Sequence, residues 1–239
     1  MKDTKKKILA VALAVSLIAI ISAGSLAWFS DTDRVDNTFM IANSDDTDPD
    51  DIFSVDVYEY PEPGATEKEE EGIEYTDILP GDQLYKEAHV ENTGYYDQYI
   101  RVTVTITKAN VWAAMLGDDF NDETLAALFE GFDAEMWDME NSTSTFSEAD
   151  DTITVVLYYN GILYGSAAVE ADNTKTADIT VFDAVNIPTA LTQEQAIEME
   201  EEFAINVVAD AIQTENVGVT AETPAGQEAY TAFTYVAAH

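Results

Sequence analysis

Residues Tyr99 to Lys108 read YIRVTVTITK, in which Ile100, Val102, Val104 and Ile106 alternate with Arg101, Thr103, Thr105 and Thr107. A helix would scatter the four aliphatic side chains around its circumference. An extended strand gathers them on one side, because its side chains point alternately to opposite faces. The β-branched residues on both faces suit a pleated backbone. Such a strand needs neighbours for its backbone hydrogen bonds and a second layer to cover its apolar face, so the stretch demands a sheet packed on something else.

The same period recurs along the chain. Ile52 to Tyr60 sets Phe53, Val55 and Val57 against Ser54, Asp56 and Tyr58, and Leu84 to Glu91 sets Leu84, Ala88 and Val90 against Tyr85, Glu87, His89 and Glu91. Ala177 to Phe182 and Phe203 to Gln213 read as further strands. Thr152 to Val169 holds Asn160-Gly161 between two apolar runs, which predicts a hairpin. The period changes in two places. Asp118 to Phe132 carries Asn121 or Asp119 as an N-cap, Leu125, Leu128 and Phe129 at helical spacing and Gly131 as a stop. Thr192 and Gln195 form a capping box for a short acidic helix running to about Glu202. At least seven strands with short helical insertions predict an all-β, antiparallel β-sandwich rather than an alternating βαβ fold.

Ahead of this domain the chain has a different character. Lys2, Lys5, Lys6 and Lys7 precede an apolar run from Ile8 to Ala23 interrupted by Ser16 and Ser22, and small residues follow at Gly24, Ser25 and Ala27. A basic start, an apolar middle and a small-residue exit are the layout of an export leader, with cleavage expected between Ala27 and Trp28. The apolar run is shorter than the roughly 20 residues that span a bilayer, which favours cleavage over a retained anchor. The division expected is therefore 1–27 leader, 28–51 extended arm and acidic linker, and 52–239 sandwich domain, delivered outside the cell or onto its surface. Within the linker, SDDTDPDD (Ser44 to Asp51) reads as a solvated connection. Its carboxylates, Asp45, Asp46, Asp48, Asp50 and Asp51, also make a weak calcium loop conceivable, although the glycine and glutamate of an EF-hand are missing.

Charge narrows the partners. The leader holds four lysines and one aspartate, so the remaining chain sets six basic residues against 46 acidic ones, a net charge of −40 with histidines neutral. Nucleic acid and anionic membrane surfaces are excluded as partners by that field, and cations are expected to help two copies approach each other. No cysteine is present, so neither disulfides nor thiolate metal sites exist. The two histidines are His89 and the terminal His239, and no H-E-x-x-H or G-x-S-x-G stretch accompanies them. No catalytic residue, resident metal or cofactor is therefore assigned. Asn141-Ser142-Thr143 is a formal glycosylation sequon within a polar NSTSTFS loop.

Three phrases carry a family resemblance. The leader ending SLA, followed by WFSDTD, resembles those cut by the SipW class of signal peptidase. Ile78 to Gly94, ILPGDQLYKEAHVENTG, is similar to the LKPGD…ENNG phrase of TasA and camelysin (CalY) proteins, through Pro80, Gly81, Asp82, Glu91, Asn92 and Gly94. Val207 to Asn216, VVADAIQTEN, resembles the closing strand of many SipW-type exported proteins. The resemblance implies a jelly-roll-like sandwich, secretion, a SipW-type signal peptidase as partner during export, and biofilm matrix fibres made of copies of the same chain. It also implies that the segment freed by leader removal completes the sheet of the next subunit. Trp28, Phe29, Val35, Phe39 and Ile41 are the apolar anchors of such an arm, which alternatively folds back as an ordinary first strand. The competing functions are a monomeric cell-surface or adhesion module and, through camelysin, a metallopeptidase that would have to use His89.

Overall fold

The computed structural model describes residues 30–35, 53–69, 78–117, 121–200 and 203–238, with backbone alone for 30–35, 122 and 198–200. In chain order the elements are β1 (Ser30–Val35), β2 (Val55–Tyr60), β3 (Gln83–Asn92), β4 (Gln98–Thr107), α1 (Ala109–Leu116), α2 (Asp122–Leu128) and β5 (Phe129–Glu130). There follow a 3-10 turn (Ala134–Met136), β6 (Thr143–Ser147), β7 (Thr152–Tyr158), α3 (Ser166–Ala171), β8 (Asp178–Asn186), α4 (Gln193–Glu200), β9 (Ile205–Gln213) and α5 (Glu228–Ala238). The strands form one sheet in the order β1-β9-β4-β7-β6 and a second in the order β2-β3-β8-β5. Every pairing between strands is antiparallel.

The core lies between the two sheets and is built from the alternation that defines them. Ile100, Val102, Val104 and Ile106 of β4 are fully buried, as their period predicts, and Val207, Ala209 and Ala211 of β9 join them. The opposite sheet supplies Val55, Val57, Ala88, Val90, Ile179 and Val181. A smaller cluster sits on the far side of the five-stranded sheet. There Ala229 and Ala232 of α5 pack on Tyr99, Ile212 and Val217, with Phe233 and Val236 alongside.

Local signals explain most boundaries. Asn121 caps α2 by accepting from the Thr124 amide at 3.1 Å. Thr192 and Gln195 form the reciprocal box, the Thr192 amide donating to Gln195 Oε1 at 2.9 Å and the Gln195 amide to Thr192 Oγ1 at 3.3 Å. The helix expected over Asp118 to Phe132 is shorter, because Phe129 and Glu130 leave it to pair with Val185 and Ala184 of β8.

Two expectations are corrected. Asn160-Gly161 is not a hairpin turn: neither residue takes the positive φ that a type I′ turn requires. The Asn160 side chain instead donates to the Glu135 carbonyl at 2.9 Å, and β7 pairs with β6 and β4. The expected second limb contributes one bridge, Leu163 to Gln98, before becoming α3. The stretch read as a polar NSTSTFS loop is largely β6, and the Asn141 side-chain Nδ2 of the sequon donates to Asp138 Oδ2 at 2.7 Å.

Candidate functional site

β9 is the strand on which the N-terminal segment bears. On one side it pairs with β4 through nine register positions, Gln98 opposite Gln213 to Ile106 opposite Ile205. On the other it pairs with β1, from Ser30 opposite Ile212 to Val35 opposite Val207. β1 ends the sheet, so β9 is its sheet neighbour and would itself be an edge without it. An uncovered edge leaves a row of backbone donors and acceptors that any extended segment can satisfy. Of the expected arm anchors, Val35 falls in β1. Trp28, Phe29, Phe39 and Ile41 lie outside the described residues, as do Ala27 and the aspartates of the candidate cation loop.

The family-like residues occupy two turns at the ends of β3. Leu79-Pro80-Gly81-Asp82 is a tight turn with Gly81 at φ +87°, a conformation that suits glycine, and Asp82 Oδ2 accepts from the Leu79 amide at 2.7 Å. The Gly81 amide donates to the Ile187 carbonyl at 3.0 Å and so ties the turn to the end of β8. At the other end Asn92 is buried. Its amide nitrogen donates to the carbonyls of Tyr96 and Leu163, both at 2.9 Å, while its oxygen accepts from the Gly94 amide. Asn92 thereby shapes the turn into β4. Glu91 meets Lys68 in an ion pair. These residues brace strand ends and do not converge on one reaction centre.

His89 lies, as expected, on the face of β3 away from the core, but it is only 8% exposed. Its Nδ1 is 2.8 Å from Asp178 Oδ1 and its Nε2 2.9 Å from Glu87 Oε1. Tyr58 stacks on the imidazole at 4.9 Å, Tyr60 meets it edge-on at 5.3 Å, and the Tyr58 hydroxyl donates to Asp178 Oδ2 at 2.5 Å. Burial works against the imidazolium, but hydrogen bonds to Asp178 and Glu87 outweigh it and raise the histidine pKa. Burial likewise opposes the Asp178 carboxylate, yet bonds from His89 and Tyr58 hold its pKa below the ordinary value. The Tyr85 hydroxyl does the same for Glu87 and is itself pushed up to about 12. Both imidazole nitrogens are committed to carboxylates, so neither is presented to a metal or a substrate. Among the described residues no group of three or more His, Asp or Glu side chains is arranged to hold a metal ion.

The residues that sequence reasoning missed are those that distant strands bring together. Asp178 is 120 positions from Tyr58, and no local pattern joins them. Glu59 and Lys86 form a buried ion pair whose members lie on β2 and β3. The strand period places both toward the core, a signal that was legible at Lys86, between Leu84 and Ala88. Glu59 is fully buried, and burial raises its pKa despite the ammonium of Lys86. Comparison with protein-family models, with curated proteins and with solved structures finds no match to this chain.

Proposed function

We propose that the exported chain is the structural subunit of extracellular fibres, a jelly-roll-like sandwich joined head to tail by donor-strand exchange, as its resemblance to TasA and camelysin proteins implies. In this reading a SipW-type peptidase removes residues 1–27, and the arm that follows lies along β9 of a neighbouring copy. The observation that carries it is the position of β1: an N-terminal, six-residue edge strand hydrogen-bonded in its sheet to β9. A ladder of this kind is the same whether the strand comes from its own chain or from another, so exchange costs little contact energy. A contact between unlike surfaces does not close on itself and propagates into a filament.

The charge sets the condition for assembly. Six basic residues remain against 46 acidic ones after leader removal. Among the described residues Lys68, Lys86 and Arg101 are in ion pairs, and Lys175 lies over the Tyr164 ring. Copies therefore repel each other until ions screen them, over a Debye length of roughly 10 Å at 0.1 M salt. Raising salt or adding calcium to the exported protein is expected to increase particle size by light scattering and to yield filaments by negative stain. The monomeric surface module is the second reading, favoured by β1 pairing with β9 of its own chain. It predicts one small species at every ionic strength, and that result would overturn the fibre reading.

A further inference from the structure

Tyr95 and Tyr96, in the turn between β3 and β4, are 54% and 56% exposed, yet the backbone that carries them is fixed by its neighbours. The Asn92 side chain donates to the Tyr96 carbonyl at 2.9 Å, the Ser166 amide to the Gly94 carbonyl at 3.0 Å and the Gly165 amide to Asp97 Oδ1 at 3.0 Å. Gly165 lies so close that a Cβ there would stand 2.2 Å from the Tyr95 carbonyl oxygen. Two adjacent aromatic rings held in water by a fixed backbone are the arrangement of a recognition site rather than of a mere connection.

The rings border a cavity of about 680 Å³, within the roughly 300–1,000 Å³ of sites for small organic molecules. Phe53 adds a third aromatic from just before β2, and the short side chains of Ala167 and Ala168 of α3 leave the space open. The turn after β9 forms another lip, held by Gln213 Nε2 donating to the Glu215 carbonyl at 2.7 Å and by Asn216 at φ +61°, a left-handed conformation that asparagine tolerates. Asp97 and Glu215 bring carboxylates to the lining, and no described lining residue is basic.

Those features select the sign of a ligand. The faces of aromatic rings carry negative charge density and attract cations, alkylated ammonium groups above all. Tyr95 and Tyr96 stand at 86° with centroids 5.2 Å apart, so the two rings make the corner of an aromatic cage. Asp97 and Glu215 supply the counter-charge, the Gly165 amide orienting the first of them. An anionic ligand meets only repulsion here, whereas a net charge of −37 draws cations toward the whole surface. We infer that the cavity binds an organic ammonium ion, its alkylated nitrogen in the Tyr95–Tyr96 corner and facing Asp97 and Glu215, with the rest of the molecule in the remaining volume. The site draws on neither the leader nor β1, so it stands apart from strand exchange.

Choline and its neutral isostere 3,3-dimethyl-1-butanol, with carbon in place of nitrogen, separate charge from shape. Titration calorimetry of the full chain at fixed ionic strength is expected to show one saturable choline site, with the isostere weaker by roughly tenfold. The tyrosines decide between a site and diffuse counter-ions, because Tyr95→Ala and Tyr96→Ala leave the net charge unchanged. Each is expected to weaken choline binding by roughly two- to thirtyfold, while Tyr95→Phe and Tyr96→Phe, which keep the rings, hold it within about threefold. Asp97→Asn retains an acceptor for the Gly165 amide and, like Glu215→Gln, is expected to weaken binding several-fold. Circular dichroism matched to the parent shows that each variant is folded. Choline uptake that the alanine variants leave unchanged is counter-ion condensation and overturns the site. Equal binding of the isostere overturns the ammonium reading, as does saturable binding of glucose without choline, which would make this a neutral-sugar site. No saturation by about 10 mM choline overturns it outright.

Discussion

Two polar clusters on β2 and β3 show how single residues are held by opposite rules. Glu59 and Lys86 are almost wholly out of water and answer to each other. Removing one partner leaves a buried charge and is expected to cost about 3–5 kcal/mol, whereas replacing both with apolar residues of similar volume is expected to be neutral or stabilising. Urea unfolding of Lys86→Met beside the double variant Glu59→Leu/Lys86→Met reads the difference. His89 is the converse, a charge stabilised by two carboxylates. Its pKa is raised on folding, so its stabilising contribution is complete below the ordinary imidazole value and is lost as pH rises through the shifted one. Asp178 and Glu87, with lowered pKa values, contribute above the ordinary carboxylate range and lose that contribution as pH falls through theirs. Other groups bear on the cluster: Tyr58 and Tyr60 from β2, Asp183 from β8, Glu91 from β3 itself and Lys68 from the segment after β2. His89→Gln is expected to cost about 1–2 kcal/mol near pH 6, and the gap from the parent chain should narrow as pH rises; denaturation midpoints across pH 5–9 measure it.

At the scale of elements, α5 matters most for the β9 edge, because it covers the outer side of the sheet where Ile212, Tyr99 and Val217 lie. Deleting residues 228–239 uncovers that cluster and is expected to cost several kcal/mol, about the burial of two or three apolar side chains. Dye binding to exposed apolar surface should rise with it. This helix was not legible beforehand: EAYTAFTYVAA mixes tyrosine, threonine and valine, which suit strands, with alanine, which suits helices. Helix α1, ANVWAAML, escaped notice behind the strong strand that precedes it. β2, β3, β4, β8 and β9 were legible because a period of two is written in contiguous residues. The Asn160-Gly161 hairpin failed because tertiary partners, the carbonyls of Glu135 and Met136, claim Asn160. The same reason hides the histidine cluster, whose members come from three strands. The turn residues Pro80, Gly81 and Asp82 were legible as a phrase, while their physical role, tying β3 to β8, required the fold.

The whole molecule is a strongly anionic two-sheet sandwich with an edge strand drawn from its own N-terminal segment. If the chain assembles as proposed, that combination makes assembly depend on two events, removal of the leader and screening of charge. In the proposed reading β1 is the element exchanged between copies, and deleting residues 28–41 removes it. Negative-stain imaging of the exported protein with and without residues 28–41, each checked by circular dichroism for an intact β-fold, is the most direct test. The account predicts filaments from the complete exported chain and isolated particles from the shortened one. A shortened chain that stays folded and still makes filaments would contradict it.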